Sequence, residues 1–326
     1  MKRARWSATG LAAVALLTVV ARAPESLKAQ SAADLRDDCA AMGGGLDRCT
    51  DVAVAARALT GVTGLLAGAG SDVPGSSSTL GTRIGSRPRF STSLRAGAAW
   101  VGLPDIFDES LGAASDVSFL VPALQLGVAA GVLDGFSPMA TVGGVLSLDV
   151  FGAVGLVMPP SSEGFEGSST NVSVGARIGV LRESFTLPGV SVSVAHRFQG
   201  ATRIGDTGLG DPAHIEVRPS TSSVRATIGK DLFGVGVLAG IGWDRASSDA
   251  TVEVLGIGPA PVRVASPLDA RRRLYFGGAA LNFLLLQLAL EGGWAAGYAS
   301  LPGTAGASFD PTGGSPFGSL ALRFTP

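Results

Sequence analysis

The stretch SPFGSLALRFTP, residues 315–326, ends the chain and decides its fold. Side chains alternate between the two faces of a β-strand. One face of this stretch is apolar and carries Gly318, Leu320, Leu322 and Phe324. The opposite face includes a full charge and carries Phe317, Ser319, Ala321, Arg323 and Thr325. Earlier stretches repeat the pattern, and the sequence predicts no helices that would cover their apolar faces. The pattern therefore indicates a closed barrel with an apolar outer wall that faces lipid.

The composition also favours a wall in contact with a lipid bilayer. Charged residues make up 16% of the chain and the mean hydropathy is +0.38, whereas soluble domains carry about 25% charged residues. After Ala21 no apolar run reaches the roughly 20 residues that a membrane-spanning helix needs. A formal net charge of −1 gives no indication of a nucleic-acid partner. The low charge and the high hydropathy are therefore best explained by strands that contact lipid.

Alternating apolar residues predict about ten strands within a barrel domain that covers residues 87–326. They are predicted at residues 89–103, 117–132, 141–158, 171–181, 190–199, 215–230, 233–243, 271–283, 286–298 and 315–326. A change of parity near Pro219 indicates a bulge, or a strand that projects beyond the membrane. Longer connections, such as residues 244–270, follow the odd-numbered strands and short ones follow the even-numbered strands. This alternation is typical of a bacterial barrel with both termini on the periplasmic side.

The last strand resembles the C-terminal assembly signal of bacterial outer-membrane β-barrel proteins, because its alternating hydrophobic residues are closed by Phe324. The resemblance covers residues 89–326 and identifies no subfamily. It implies an all-β protein, a transmembrane antiparallel up-and-down barrel in the cell outer membrane. It also implies that the barrel-assembly machinery recognises the last strand.

The N-terminal region predicts an export signal followed by a partly helical appendage. Basic residues at positions 2, 3 and 5 precede an apolar run from Gly10 to Ala21, which predicts a secretory signal peptide over residues 1–29 with cleavage after Ala29. Its removal would leave a mature charge of −5. Residues 30–86 are expected to combine a short helix with a Gly/Ser/Pro-rich linker at residues 70–78. This segment is expected to plug the lumen, to lie at the periplasmic mouth, or to form a mobile tail.

Cys39 and Cys49 are the two cysteines of the chain. Two thiols this close together in an oxidising periplasm are expected to form a disulfide, the alternative being two unpaired small residues.

Aromatic residues are expected to mark the two edges of the apolar band. Trp100, Trp243, Trp294 and Tyr298 fall toward the outer ends of upward strands, where a ring can lie in the membrane interface with its polar group hydrated. Phe233, Phe283 and Phe324 fall at the lower ends. The sequence therefore predicts two interfacial girdles.

The inward faces of the predicted strands carry the polar residues. These lumen-lining candidates are Arg95, Gln125, Asp149, Arg177, Arg197, Arg225, Gln287, Glu291 and Arg323. An excess of arginine in a pore favours anions, so the sequence predicts a narrow channel for small polar or anionic solutes. The same residues would also suit a salt-bridge lattice that fills a closed lumen, in a structural or adhesive barrel that works through its surface loops. No cofactor and no metal are expected.

A surface hydrolase is the third hypothesis, and it depends on the two histidines. His196 has Val194 and Phe198 beside it on its own strand face instead of the serine that a barrel phospholipase would need. His214 with Asp211 and Glu216 is the candidate for a protease site at the outer rim, although a solvated loop is the favoured interpretation.

Overall fold

The computed structural model describes residues 32–66, 68–83, 87–107, 116–137, 143–256, 258, 260–298 and 309–326. The predicted signal peptide, residues 1–29, lies outside the described residues.

Ten antiparallel strands form a closed ring in which each strand pairs with its neighbours in sequence. They are β1 (Phe90–Pro104), β2 (Asp116–Leu133), β3 (Ser147–Val157), β4 (Ser169–Leu181), β5 (Gly189–Gln199), β6 (Ala213–Leu232), β7 (Val235–Val254), β8 (Val262–Phe283), β9 (Leu286–Ala295) and β10 (Ser315–Phe324). The ring closes where β10 pairs with β1, from Phe317 opposite Ala99 to Phe324 opposite Thr92. A further short strand, Thr202–Ile204, pairs with β6. The predicted all-β, ten-stranded antiparallel barrel is confirmed.

The two ends of the barrel differ. At the turn end, β6 and β7 are joined by Phe233–Gly234 and β8 and β9 by Leu284–Leu285. Phe233 and Gly234 have φ values of 51° and 90°, which fit a two-residue hairpin turn whose twist matches the strands. The sequence predicted Phe233 as the first residue of a strand. In the structure it is a turn residue, and β7 begins at Val235. At the opposite end, the loop end, four of the five connections have 11 to 19 residues, as predicted, but β7 and β8 are joined by only seven, residues 255–261. The turn end also has one longer connection than predicted, because residues 134–146 join β2 to β3.

The outer wall is apolar over a band that begins at the turn end. Outward-facing residues of β7 run from Val235 through Ile241 to Trp243, and beyond Trp243 they change to Arg245, Ser247 and Asp249. The apolar part covers nine residues, within the length that a tilted strand needs to cross a bilayer. The same exposed apolar face continues around the ring, with Leu94, Leu126, Val128, Val154, Val174, Ile228, Leu288 and Leu322.

Strands β6, β7 and β8 extend far past this band at the loop end. They have 20, 20 and 22 residues, about twice the length needed for spanning. The sequence had placed a loop at residues 244–270, and that prediction was wrong. No bulge occurs at Pro219, because β6 stays in continuous register with β7 from Leu232 to Ala213.

Residues 244–270 were predicted as a loop because the contacts of the inner face change along the length of these strands. In the extended halves the inward residues are apolar and buried, among them Ile215, Val217, Val252, Val254 and Leu268, and they belong to one core cluster with the N-terminal helices. Helix α1 covers Ala32–Ala41 and helix α2 covers Leu46–Leu66. Apolar side chains therefore point outward at lipid depth and inward where the helices fill the barrel. Because the apolar side chains change faces along each strand, the alternating pattern in the sequence is interrupted there.

Helix α2 is long and apolar enough to cross a membrane, but 83% of its most apolar stretch is buried inside the barrel. The sequence predicted a short helix in residues 30–86, and the structure has two within its described residues, of which α2 is the longer. Thr60 and Thr63 lie within α2. Their hydroxyls donate to the carbonyls of Ala56 and Leu59 at 2.8 Å, so both polar groups are satisfied within the helix.

The helices lie at the loop end. Tyr298, just past β9, contacts α2 at Gly61, and Gly256, at the tip of β7, lies against Gly43 between the two helices. The C-terminal residue of β10, Phe324, is at the turn end, level with Leu286. The first described helix and the C-terminus are thus at opposite ends of the barrel. The two ends of the barrel itself, Phe90 of β1 and Phe324 of β10, lie together at the turn end.

Candidate functional site

Residues 68–83, here the luminal segment, run the length of the lumen from α2 to the turn end. Gly68 lies against the guanidinium of Arg197, Gly75 lies against Gln287 and Ala289, and Gly81 lies against Asp134 and Arg182. The segment then reaches β1 through a short strand pair, Thr82–Arg83 with Arg87–Pro88. The chain enters the barrel at its loop end, leaves at its turn end, and only then begins to form the wall.

The nine predicted lumen residues all face this segment or its surroundings. Arg95, Asp149, Arg177, Arg197, Arg225, Gln287 and Glu291 are buried, while Gln125 and Arg323 are half-buried. Five arginines are involved, and full burial of a charge is costly unless it is paired and hydrogen-bonded. The partners of each arginine therefore decide what the lumen can do.

Asp72 of the luminal segment is the partner of Arg197. Its Oδ1 accepts a hydrogen bond of 2.5 Å from Arg197 Nη2, and its Oδ2 accepts one of 2.5 Å from the Ser193 hydroxyl. Both members of the ion pair are almost fully buried, with 4% and 1% of their side chains exposed. Arg197 Nη1 donates to Ser223 at 2.7 Å. The wall and the segment are joined here by a desolvated, charge-assisted contact.

Glu291 holds the segment through its backbone. Its carboxylate accepts from the amides of Ser71 and Gly75 at 2.9 Å each and from the Ser71 hydroxyl at 2.5 Å. Arg95 lies 3.8 Å from this carboxylate and donates to the carbonyls of Ala69 and Ser71. Residues 69–75 lie in neither a helix nor a strand, and wall side chains here bind several of their buried backbone groups, as burial requires.

Asp149 and Arg177 repeat this arrangement nearer the turn end. Their side chains pair at 2.7 Å, Asp149 also accepts from the amide of Leu80 at 2.9 Å, and Arg177 donates to the carbonyl of Ser76 at 3.0 Å. Arg323 and Gln287 donate to the carbonyls of Pro74 and Gly75 at 3.2 and 3.1 Å.

The segment is also fixed where it leaves the lumen. The amide of Thr82 donates to Asp134 at 2.8 Å, and Arg182 donates to the same oxygen at 3.1 Å. Although partial burial raises it, these hydrogen bonds from Thr82 and Arg182 lower the pKa of Asp134 below its ordinary value.

Arg225 is paired with Asp244, which the sequence analysis had assigned to a loop. The distance is 2.5 Å, and the guanidinium is completely buried. Asp72 was missed in a similar way, because it lies in a Gly/Ser/Pro-rich stretch that was predicted to be a linker. With Asp72 and Asp244 included, the five arginines face four carboxylates. In the sequence each of these two acids stands alone at the edge of a predicted element, which is a weak signal.

Little open space remains around the segment. Two cavities between it and the wall have volumes of about 20 and 10 Å³, each enough for about one water molecule. The first is lined by Asp72, Arg95 and Arg197 among others. The described lumen is therefore filled by protein and by paired charges.

The disulfide between Cys39 and Cys49 is present and its prediction is confirmed. It joins α1 to the first turns of α2, with Cα atoms 5.7 Å apart. Both cysteines are buried in the core cluster at the loop end. The bridge therefore braces the helical hairpin, here residues 32–66, that sits in the mouth of the barrel.

Three tryptophans of the described residues lie on the outer wall. Trp100, Trp243 and Trp294 are 51%, 46% and 48% exposed, and Phe324 is 40% exposed at the turn end. Tyr298 differs from its prediction, since it is only 6% exposed. It lies inside the mouth, under the guanidinium of Arg272 at 4.5 Å, because the chain turns inward after Ala295 to cover α2. Burial raises the pKa of Tyr298 to about 12.

The histidines do not assemble a complete hydrolytic site. His214 contacts the carbonyl of Gly205, while Glu216 is bound by Arg203 and Arg218 and Asp211 accepts from the amide of Asp206. His196 does meet a serine, Ser222 of the neighbouring strand, at 3.0 Å, a contact that single-strand reasoning overlooked. Within the described residues, no carboxylate is hydrogen-bonded to the His196 ring, so the orienting member of a triad is missing.

No family model and no curated protein matches the chain. Among solved structures it is similar to the outer membrane protease OmpT from Escherichia coli, at 10% identity and a TM-score of 0.42 over 77% of this chain and 100% of that one. It is also similar to the translocator domain of the autotransporter NalP from Neisseria meningitidis, at 9% identity and a TM-score of 0.40 over 73% and 87% of the two chains. It is similar as well to Ail, the attachment invasion locus protein of Yersinia pestis, at 8% identity and a TM-score of 0.25 over 73% of this chain and 97% of that one.

The fold itself rests on the strand pairings of the described residues. The chain is a closed ten-stranded antiparallel barrel, and the solved proteins to which it is similar are outer-membrane β-barrel proteins.

Proposed function

We propose that this protein is an outer-membrane barrel that is closed by its own N-terminal segment and acts at the cell surface through its loop end. The observation that carries the proposal is the occupied lumen, in which Asp72 and the backbone of residues 69–80 form hydrogen bonds with Arg95, Arg177, Arg197 and Glu291. An open diffusion pore would need these charges hydrated. Here they bind protein.

Location in the outer membrane is supported by the apolar band of the wall, which has exposed tryptophans along its loop-end edge. Short turns lie on the periplasmic side of such barrels and longer loops face outward. By that rule the loop end, with the helical hairpin in its mouth, faces the exterior. The C-terminal strand would be the segment engaged by the barrel-assembly machinery.

The helical hairpin then becomes a surface element. Its tip carries Met42 and Leu46, which are 59% and 58% exposed, beside Gly43 and Gly45. Large apolar side chains at the tip of a braced hairpin are suited to contact with a partner molecule. This favours the structural or adhesive hypothesis of the sequence analysis over a constitutive channel.

Planar-bilayer recording of the purified full-length mature protein tests the closed lumen. We expect no conductance steps, since the cavities around the luminal segment hold about one water molecule each. Steps of an open pore in every active bilayer, under unmodified conditions, would reject the proposal.

Surface labelling tests the orientation. An epitope inserted after Met42 should be reached by antibody on intact cells, whereas the same epitope inserted in the Phe233–Gly234 turn should be reached only after permeabilisation. Both sites are exposed turns at opposite ends, so they form a matched pair. The reverse result would place the helical hairpin in the periplasm and remove the surface role.

A gated conduit for anions is the second candidate. Its support is the charge of the wall, because without the luminal segment the five arginines would face only Asp149, Asp244 and Glu291. Anion-selective openings that appear in an Asp72→Asn variant, and not in the unmodified protein, would favour this function.

A further inference from the structure

An arginine cluster lies on the outer wall at the edge of the apolar band, away from the lumen. Arg245 of β7 is directly opposite Arg271 of β8, and Trp243 is directly opposite Arg273. All three arginines face outward and are exposed. Like charges directly opposite each other in a sheet repel, so this arrangement lowers the stability of the sheet unless an anion lies between them.

The cluster is only partly neutralised by the protein. Arg245 pairs with Asp269 at 2.8 Å. Arg271 and Arg273 form no ion pair and no side-chain hydrogen bond within the part of the chain that the structure describes. Three guanidinium groups and one carboxylate leave an excess of positive charge at this place. Arg263, on the same face of β8 nearer the loop end, is by contrast paired with Glu253 at 3.3 Å.

The height of the cluster on the wall indicates what kind of anion it meets. Directly below it toward the turn end are the exposed rings of Trp243 and Tyr275, and Tyr275 is opposite Trp294 on β9. Tryptophan and tyrosine prefer the headgroup level of a bilayer. Arg273 is thus level with Trp243, and Arg245 and Arg271 lie one outward-facing pair above it, at the depth of lipid phosphates.

A depression gives this anion room. It has a volume of about 800 Å³ and is lined by Trp243, Arg245, Arg271 and Arg273 together with Ala296 and Gly297. It forms because β9 ends at Ala295, opposite Leu274, while β8 continues toward the loop end without that neighbour. A phosphate group fits the planar, forked donors of arginine, which bind it in bidentate fashion.

We propose that Arg245, Arg271 and Arg273 form a binding site for the phosphate-bearing headgroup of a membrane lipid in the leaflet at the loop end. Its acyl chains lie along the apolar band beneath Trp243 and Tyr275. The site rests on the proposed membrane location but not on the closed lumen, so a conducting barrel would leave it intact.

Quenching of tryptophan fluorescence tests the site in the full-length protein in non-ionic detergent. A Trp6→Phe/Trp100→Phe/Trp294→Phe background leaves Trp243 as the sole tryptophan, beside the cluster. Phosphatidic acid with brominated acyl chains should quench Trp243 at lower concentration than brominated phosphatidylcholine. Each arginine near a lipid phosphate is expected to contribute about fivefold in affinity, so Arg271→Gln/Arg273→Gln should weaken the binding of phosphatidic acid about 25-fold.

Two matched variants sharpen the result. Arg263→Gln removes a charge from the same face of β8 outside the cluster and should change the affinity by less than about twofold. Asp269→Asn releases Arg245 and should tighten binding by about fivefold. Heat-modifiable gel migration would verify that each variant is folded.

Equal quenching by both lipids, or unchanged affinity in the folded double-arginine variant, would overturn the proposal. Inorganic phosphate separates a lipid site from a simple phosphate site. Lipid that stays bound in a large excess of inorganic phosphate supports the proposal, whereas complete displacement overturns the assignment to a lipid.

Discussion

Asp72 is the residue on which the contact between luminal segment and wall depends most. It accepts hydrogen bonds from Arg197 and Ser193 and is buried together with its cationic partner. Removing one partner of a buried ion pair leaves an uncompensated charge, which is far more costly than the pair itself is favourable. The contribution of Asp72 is therefore best seen by neutralising it alone.

Asp72→Asn should lower the free energy of unfolding by about 3–5 kcal/mol, because Arg197 would stay buried without its counter-charge. Denaturant unfolding of the refolded barrel measures it. Asp269→Asn is the control, because its partner Arg245 is 59% exposed and the pair should contribute less than about 1 kcal/mol. Adding Arg197→Gln to Asp72→Asn should recover part of the loss. A loss as small as that of the control would contradict the buried pair.

Tyr298 offers a pH-dependent signal from the mouth. Its pKa is raised to about 12 by burial, so the neutral phenol is favoured in the folded state. The stabilisation is complete below the ordinary pKa of the unfolded chain, about 10, and is lost as the pH rises through about 12. In a Tyr275→Phe variant, which leaves Tyr298 as the sole tyrosine, absorbance titration should report one ionisation near pH 12. Ionisation near pH 10 in the folded protein would show that the mouth is hydrated.

At the scale of elements, two glycines of α2 allow the helix to pack closely against its surroundings. Alanine in place of glycine ordinarily stabilises a helix by about 0.5–1 kcal/mol. At Gly61, however, an added Cβ would overlap the ring and hydroxyl of Tyr298, and at Gly64 it would overlap the Thr221 hydroxyl. The helix approaches the wall at these two points more closely than any side chain allows.

Gly61→Ala should therefore destabilise the protein by about 1–3 kcal/mol, reversing the usual sign. Thermal unfolding measures it. Gly45→Ala is the control, because a Cβ there meets nothing within 4 Å. In a Tyr298→Ala background the Gly61→Ala change should become neutral or stabilising, and the double-mutant cycle isolates the contact. A stabilising Gly61→Ala in the unmodified background would mean that α2 does not pack on Tyr298.

The elements also show what sequence reasoning can and cannot detect. Strands within the apolar band were predictable, because Leu320 and Leu322 point to lipid while Arg323 points inward, and this keeps a period of two. The extended halves of β6–β8 were not fully predicted as strands. Val217 and Leu268 face inward toward α2, so the apolar side chains change faces along one strand and the period of two is interrupted. The luminal segment was unpredictable in detail, since Ser71 and Gly75 bond Glu291, more than 200 positions away.

At the scale of the whole molecule, wall, luminal segment and helical hairpin share one network of buried contacts. Arg95, Arg177, Arg197 and Arg323 each bond the segment, and α2 packs in the same core cluster as the extended strands. No part of this network can be released without exposing charges or apolar surface elsewhere. Such coupling makes unfolding all-or-none.

Helical circular dichroism and tryptophan fluorescence should therefore change together in one denaturant transition, since the helices lie inside and the tryptophans lie on the wall. Hydrogen exchange provides a second measurement: the amides of Ser71, Gly75 and Leu80 should be protected as strongly as strand amides because carboxylates accept from them. The amides of the exposed turn residues Phe233 and Gly234 serve as the fast-exchanging reference. An earlier loss of the helical signal, or rapid exchange at residues 71–80, would mean that the N-terminal region unfolds on its own.

The pairing of β10 with β1 has a consequence for the order of assembly. The chain passes through a ring that is sealed by its first and last strands, and a disulfide-braced pair of helices sits at the far side of that ring. A folded hairpin of this width could not be drawn afterwards through a lumen whose cavities hold single waters. The N-terminal region must therefore cross while the ring is still open, and the final strand locks the threaded chain in place.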